Sequence, residues 1–255
     1  MKRSIVTALV AVLACLPSIG ASDPGIRVLS LDLCTDWMLA RHADRSQVVG
    51  LSPYVDQYPV DWLDPAWPRH NGTLEQILEL DPDLVLTGQY NALLLRQRLK
   101  ALGVRVEILP LPENLAEIAD YEQRFLRLLD MTPDSSSQEI MADNYPATGK
   151  RLLLLGANGI GTGRQTFEQD IIAHAGWENY LQDTGHLNLD MEQLIDNPPD
   201  AILSAAPRSE ALANRFAQHP ALKQLIPGDR WITSDSWRWQ CPGPWSRELV
   251  RQLHQ

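Results

Sequence analysis

Two cysteines, Cys34 and Cys241, an aromatic and proline-rich stretch from Ser52 to Gly72, and a second aromatic group at Trp237 and Trp239 carry the notable side-chain chemistry of this 255-residue chain. Sets that would mark an enzyme are missing: there is no Gly-x-Ser-x-Gly elbow and no convincing acid–base pair. His42, His70, His174, His186, His219 and His254 are scattered, whereas a zinc or manganese site needs clustered imidazoles and carboxylates. A solvated histidine is expected at each, and only His70 falls in a loop suited to a crevice. No metal ligands and no cofactor are therefore assigned. Gly156 to Gly163 follows a strand and precedes a helix, as a dinucleotide loop does, but it lacks the full glycine spacing and the acidic residue that would hold a ribose. It reads as a tight loop at a crevice, and a secreted enzyme stays a distant alternative.

The aromatic residues suit recognition instead. Tyr54, Tyr58, Trp62 and Trp67 occur together with Pro53, Pro59, Pro65 and Pro68 in a loop of a length that is usually functional. If the segment after the last strand stays extended, alternation points Trp237 and Trp239 to one side. Large rigid rings cover a bulky ligand at low entropic cost, although core packing competes for them.

Positioning such loops requires strands and helices, and the pattern supplies both. Strands are expected at Arg27–Leu31, Val48–Leu51, Leu84–Leu86, Val104–Leu109, Arg151–Leu155 and Arg230–Thr233. Helices are expected at 34–43, 74–80, 92–102, 115–131, 138–145, 166–175, 210–217 and 246–254, with Asp32 a candidate N-cap for the first. Strand and helix alternate, so the sheets should be mainly parallel. One text occurs twice: Leu74 to Gly88 reappears as Met191 to Ala205, with five of fifteen paired positions identical and no gap. Each copy reads as a short helix bearing Glu-Gln, a stop at proline, and a buried strand. The duplication argues for two similarly built halves.

Lys2-Arg3, the apolar run Ile5 to Leu13 and the small residues around Ser18 to Ala21 read as a secretory signal over residues 1–21, too short to span a bilayer. Val12-Leu13-Ala14-Cys15 offers lipidation at Cys15 as a competing reading. Removing Lys2 and Arg3 leaves 20 basic against 32 acidic residues, a net charge near −12, which disfavours nucleic acid as a partner. Cys34 and Cys241 then form an even pair in an oxidising compartment, where a disulfide is allowed.

The signal segment, Arg27-Val28-Leu29-Ser30-Leu31, Val48-Val49-Gly50-Leu51-Ser52, the run from Leu74 to Leu86, Leu102-Gly103-Val104-Arg105-Val106 and Thr166 to Asn179 together resemble the extracytoplasmic binding proteins of ferric-siderophore and cobalamin ABC importers. The resemblance covers nearly all of the chain after the signal. It implies a class III periplasmic binding protein architecture: α/β, two lobes, each a mainly parallel sheet flanked by helices, joined by a single linking helix. The lobes are expected at 22–131 and 150–255, with the linker at 132–149. Twelve helical residues there would span only ~18 Å, short for the family.

From the resemblance follow the expected roles. The protein would be a periplasmic, monomeric, non-enzymatic carrier of a metal chelate, a ferric siderophore first and a corrinoid second, delivered to an ABC permease in the inner membrane. Tyr54, Arg69, Tyr90, Trp237 and Trp239 would contact the ligand; Arg69 offers a planar fork for anionic oxygens, with a surface arginine as the plain alternative. Glu75 and Glu192, at matching places in the two copies, would dock on permease arginines, although each would also sit well at a helix start through the dipole. A bond between Cys34 and Cys241, one per lobe, would lock the lobes; free thiols near the ligand are the alternative.

Overall fold

A computed structural model describes residues 25–58, 60–132, 144–156, 159–205, 216–233 and 238–254. The expected signal segment with Cys15, most of the helices expected at 138–145 and 210–217, and Trp237 lie outside these residues. Among the described residues no helix is long and apolar enough to cross a membrane.

Two sheets organise the chain. The first contains β1 (Val28–Ser30), β2 (Val48–Gly50), β3 (Leu84–Gly88) and β4 (Val106–Leu109), all parallel in the order β2-β1-β3-β4. Its helices are α1 (Leu33–His42), α2 (Leu74–Glu79) and α3 (Leu93–Ala101). After α4 (Ile118–Leu128), the second sheet builds on β5 (Arg151–Leu155), which pairs in parallel with β9 (Ala201–Ser204) and with the short β7 (Glu178–Asn179). β10 (Trp231–Thr233) extends it in parallel beyond β9. Two antiparallel additions, β6 (Ile160–Thr162) and β8 (His186–Asn188), complete the other edge. Around this sheet lie α5 (Phe167–His174), α6 (Met191–Asp196), α7 (Pro220–Leu225) and α8 (Ser246–His254).

The two copies of the repeat fold alike, down to their hydrogen bonds. Asp83 and Asp200 each accept the backbone N–H of the arginine that opens the neighbouring first strand, Arg27 or Arg151, at 2.8 Å. Those arginines in turn reach the chain just past the repeat helix. Arg27 donates to the carbonyls of Leu80 and Asp81, and Arg151 to the Asn197 side chain and the Pro198 carbonyl. The charged fork satisfies carbonyls that a helix end leaves without partners. Consequently α2 and α6 are pinned, in both sheets, with their last turns at the strands' amino edge.

The glycine-rich stretch expected as a loop contains β6 instead. A side chain at Gly163 would collide with the Asp183 carbonyl, because Gly163 and Arg164 hydrogen-bond to the 183–185 backbone. Glycine is there for close backbone packing, as in many strand interiors.

α4 and the chain end connect the lobes. Leu115 and Ile118 pack in the core of the second sheet, while Tyr121, Phe125, Leu126 and Leu129 of the same segment pack in that of the first. The Leu115 N–H is bound by Asp170 of α5 at 2.8 Å. At the other crossing, Cys241 and Trp245 leave the second lobe and enter the first core. Trp245 stacks on Trp62 at 5.3 Å and meets Trp37 edge-on at 5.4 Å, arrangements that aromatic quadrupoles favour. Arg238 lies over the Trp62 ring and 3.7 Å from Asp61. Cys34 and Cys241 are joined as a disulfide, with Cα atoms 5.1 Å apart. The chain then returns, and Leu249, Val250 and Leu253 of α8 pack in the second core.

The disulfide closes a loop of 207 residues in sequence separation, so it restricts the unfolded chain strongly. The double variant Cys34→Ser/Cys241→Ser is expected to lose about 2–5 kcal/mol in urea unfolding. Unchanged midpoints for oxidised and double-variant protein would show that the bond contributes nothing.

Candidate functional site

The carboxyl ends of the parallel strands in both sheets open on one crevice. Its larger part, about 1080 Å³, is lined from the first lobe by Gln89 and Tyr90 and from the second by Glu168, His186, Trp239 and Gln240, among others. A smaller part of about 570 Å³ is lined by Tyr54, Tyr58, His70, Tyr90 and Gln240. The two share Tyr90 and Gln240 and so adjoin.

The N-terminal end of α1 positions the first-lobe wall. Asp32, its N-cap, accepts the N–H groups of Cys34 and Thr35, which satisfies two donors that the helix start leaves open. The other Asp32 oxygen accepts the Gly88 N–H, so it anchors the turn that carries Tyr90. One turn on, Asp36 accepts both the backbone N–H of Ser52, at 2.8 Å, and the Ser52 hydroxyl. Ser52 caps the 3-10 turn Pro53–Asp56, which carries Tyr54. Cys34, between these two carboxylates, holds Cys241 and hence the neighbouring Trp239-Gln240 segment.

These carboxylates lie in the core. Burial pushes the Asp36 carboxyl up to about 7, although the Ser52 hydrogen bonds pull against it. Asp32 is also raised by burial, against the donors of Gly88, Thr35 and Cys34. Tyr121 of α4 is raised by burial too, with Asp32 adding to the effect. On the opposite wall burial raises Glu168, partly countered by His186.

His70 is buried, not solvated as expected from the sequence. Its Nδ1 accepts the Gly72 N–H at 3.0 Å, so Nε2 carries the proton and donates to the Ser30 carbonyl at 2.7 Å. Burial accordingly lowers its pKa. The ring is a neutral brace between the long loop and β1. Leu51 pairs with Arg69 at the base of the same loop, and Trp62, Trp67, Val55 and Val60 of the loop pack on the first core.

The expected contact residues are thus partly assembled. Tyr54 and Tyr90 are exposed and share a wall, Tyr90 being 78% exposed. Trp239 is only 4% exposed; it packs in the second core and shows one face to the crevice. Arg69 is on neither wall: Nε donates to Asp56 at 3.1 Å and a terminal nitrogen to the Trp67 carbonyl. Glu75 and Glu192 are exposed in the first turns of α2 and α6. Sequence reasoning missed the crevice roles of Gln89, Glu168, His186 and Gln240. Their signal was only positional: Gln89 follows β3 and His186 begins β8, whereas Glu168 lies in the first turn of α5 and Gln240 in the short 3-10 turn before Cys241.

No protein-family model matches the chain, and no curated protein sequence matches it. Solved structures do. A possible iron-binding, periplasmic solute-binding protein of Staphylococcus epidermidis superposes with a TM-score of 0.71 at 20% identity, over 89% of this chain and 96% of that one. The chain has the class III periplasmic binding protein fold. A periplasmic heme-binding protein of Pseudomonas aeruginosa shares this fold at 21% identity and a TM-score of 0.67, over 89% and 91% of the two chains. The periplasmic vitamin B12 binding protein of Vibrio cholerae does so at 19% and 0.61, over 91% and 96%. Within this fold the crevice lies between the lobes, where the carboxyl edges of parallel strands offer loops to a ligand.

Asp36 gives the site a measurable signature. Its folded pKa of about 7 lies above the ordinary 3.8, so between these values the folded state holds a proton that the unfolded state has released. The contribution to stability is complete below about pH 4 and is lost as pH rises through about 7. Asp36→Asn keeps an acceptor and a donor toward Ser52 without the charge. Relative to the unsubstituted protein it should grow more stable as pH rises from 5 to 8, seen as diverging thermal midpoints. Parallel midpoints across that range would show that Asp36 ionises freely.

Proposed function

We propose that the protein is the extracytoplasmic binding component of an ABC importer for a metal chelate, with a ferric siderophore as its first ligand class. It is a carrier, not an enzyme. The observation that supports this reading best is the pair of adjoining interlobe cavities walled by tyrosine and tryptophan, in a fold whose solved examples include periplasmic iron, heme and vitamin B12 binding proteins. The larger volume stands at the top of the roughly 300–1,000 Å³ that small-molecule sites occupy, which suits a bulky chelate better than a single amino acid or sugar.

Tyr54 and Tyr90 would present rings and hydroxyls from one lobe, and Trp239, with Trp237 beside it in sequence, would present rings from the other. Arg69 would brace the Tyr54 loop through Asp56 and act on the ligand only indirectly. That engagement favours a corrinoid as the second reading, because a flat macrocycle packs on aromatic walls without needing an arginine fork. Residues 1–21 would direct export to the periplasm, where a monomer would capture the chelate and carry it to an inner-membrane permease. Glu75 and Glu192 would meet that permease, one from each lobe.

Titration of the purified protein with a ferric trihydroxamate and with cyanocobalamin, followed by tryptophan fluorescence, is expected to show saturable quenching by one of them. Tyr90→Ala should weaken that binding about tenfold, as befits loss of an aromatic contact that the ligand would bury on binding. No saturable binding of either chelate would overturn the carrier reading. Glu75→Lys with Glu192→Lys should abolish cellular uptake and leave affinity intact; lost affinity would give the glutamates a structural role instead.

A further inference from the structure

Two residues line both cavities, Tyr90 from the first lobe and Gln240 from the second. Tyr90 is among the contacts proposed above, whereas Gln240 has no role yet. It ends the 3-10 turn Arg238–Gln240, and the residues around it are fastened. Arg238 lies over the Trp62 ring, 5.6 Å from its centroid, and Trp239 packs in the second core. Cys241 is 1% exposed and bonded to Cys34; its carbonyl accepts the Trp245 indole N–H at 2.6 Å. The Cys34 sulfur lies 3.7 Å from the Gln240 carbonyl oxygen. Of residues 238 to 241 only Gln240 is exposed. No described residue hydrogen-bonds to its side-chain amide. A backbone pinned on both sides therefore offers one unengaged amide where the two cavities adjoin.

The surroundings indicate what that amide meets. Three further glutamines, Gln89, Gln165 and Gln169, line the larger cavity. Among the described residues neither cavity is lined by lysine or arginine. The arginines nearby are turned to the protein itself: Arg69 to Asp56 and the Trp67 carbonyl, Arg96 to the carbonyls of Gly88 and Gln89. The crevice thus recognises polar groups without a cationic fork. An amide supplies an acceptor and two donors at no net charge, so it pairs with another amide in both directions. Such groups are tolerated out of water when they are paired.

We propose that Gln240 is a specificity-determining contact which pairs with an uncharged amide on the periphery of the chelate, and that the bond between Cys34 and Cys241 positions it. The proposal rests on the carrier reading above and sharpens its ligand class. A linear ferric trihydroxamate with amide linkages and cyanocobalamin both carry such amides away from the metal. The bond acts on binding through geometry: it ties the backbone beside Gln240 to the first turn of α1, whose Asp32 and Asp36 also hold the Tyr90 and Tyr54 turns. A contact is worth most when its support leaves it little freedom to lose.

The test measures affinity by tryptophan quenching, with whichever of these two chelates the unsubstituted protein binds. Gln240→Ala and Gln240→Met are each expected to weaken binding about tenfold, because the ligand amide loses its partner even where methionine keeps the volume. Gln240→Glu should weaken it as well. Cys34→Ser/Cys241→Ser should cost about tenfold too, and adding Gln240→Ala to it less than about twofold more, since a contact already displaced cannot be lost again. Cys34→Ala/Cys241→Val serves the same cycle if the serine pair does not fold. Full affinity in Gln240→Met, tighter binding in Gln240→Glu, or additive losses in the combined variant would overturn the inference and leave the carrier reading in place. Failure of the unsubstituted protein to bind either chelate overturns both.

Discussion

One turn of helix holds the crevice together. Asp32, Cys34 and Asp36 bind, respectively, the turn before Tyr90, the chain end beside Trp239, and the residue that caps the Tyr54 turn. Two of these ties are carboxylates in the core, where an ionised group is costly unless donors converge on it. The donors are mainly backbone N–H groups, which cannot rotate away as side chains do. That exchange of solvation for fixed geometry suits a binding wall: the loops are positioned by the same hydrogen bonds that keep the buried carboxylates tolerable.

The duplicated text has a different job from the one its length first suggests. Its helices, prolines and strands build the scaffold, yet the pair Arg27 and Arg151 lies outside it and makes the two copies geometrically equivalent. Each arginine joins three things: the opening of a strand, the aspartate that begins the neighbouring strand, and the carbonyls at a helix end. Loops that line the crevice escape this symmetry. The first lobe contributes tyrosines after β2 and β3, whereas the second adds the antiparallel β6 and β8, which have no counterpart among the described residues of the first. Symmetric and asymmetric parts of the molecule thus face different tasks.

Periodicity made the strands and most helices legible, since β5 and α8 fall where apolar spacing puts them. It failed where polar groups are buried or where pairing is long-range. α1 is buried over Leu33 to Leu39, including Thr35 and Asp36, so no stripe marks its inward face. β6, β7 and β8 are two or three residues long and depend on partners distant in sequence, and the glycines of and just after β6 look like a loop until β8 is laid against Gly161 and the 183–185 backbone against Gly163. Aromatic residues were the least legible of all. Trp62 and Trp67 share a loop with Tyr54 and Tyr58, yet the tryptophans pack on the core and only the tyrosines reach the cavity. Composition names a loop as aromatic; it does not say which rings face inward. Arg69 shows the same limit, because a free fork and one closed on Asp56 read identically in sequence.

The lobes' connections decide how a ligand must enter. A two-lobed protein that closes on its ligand needs a hinge that bends at small cost. Here α4 places side chains in both cores, and the chain end puts Trp245 between Trp37 and Trp62 before returning to the second lobe. Opening the crevice by rotation would pull Trp245 from a packed aromatic site and strain the bond between Cys34 and Cys241. Such a barrier argues against wide swings and for a crevice that is shaped before the ligand arrives. A preformed site loses little conformational entropy on binding, so a modest number of aromatic contacts can hold the ligand tightly. The same rigidity leaves the loaded and empty forms alike in outline. A partner reading only the outer faces of α2 and α6 would then see little difference between them, and discrimination in favour of the loaded form would have to come from the rings at the crevice mouth, Tyr54 and Tyr90, whose exposed surfaces a ligand held in the crevice would cover.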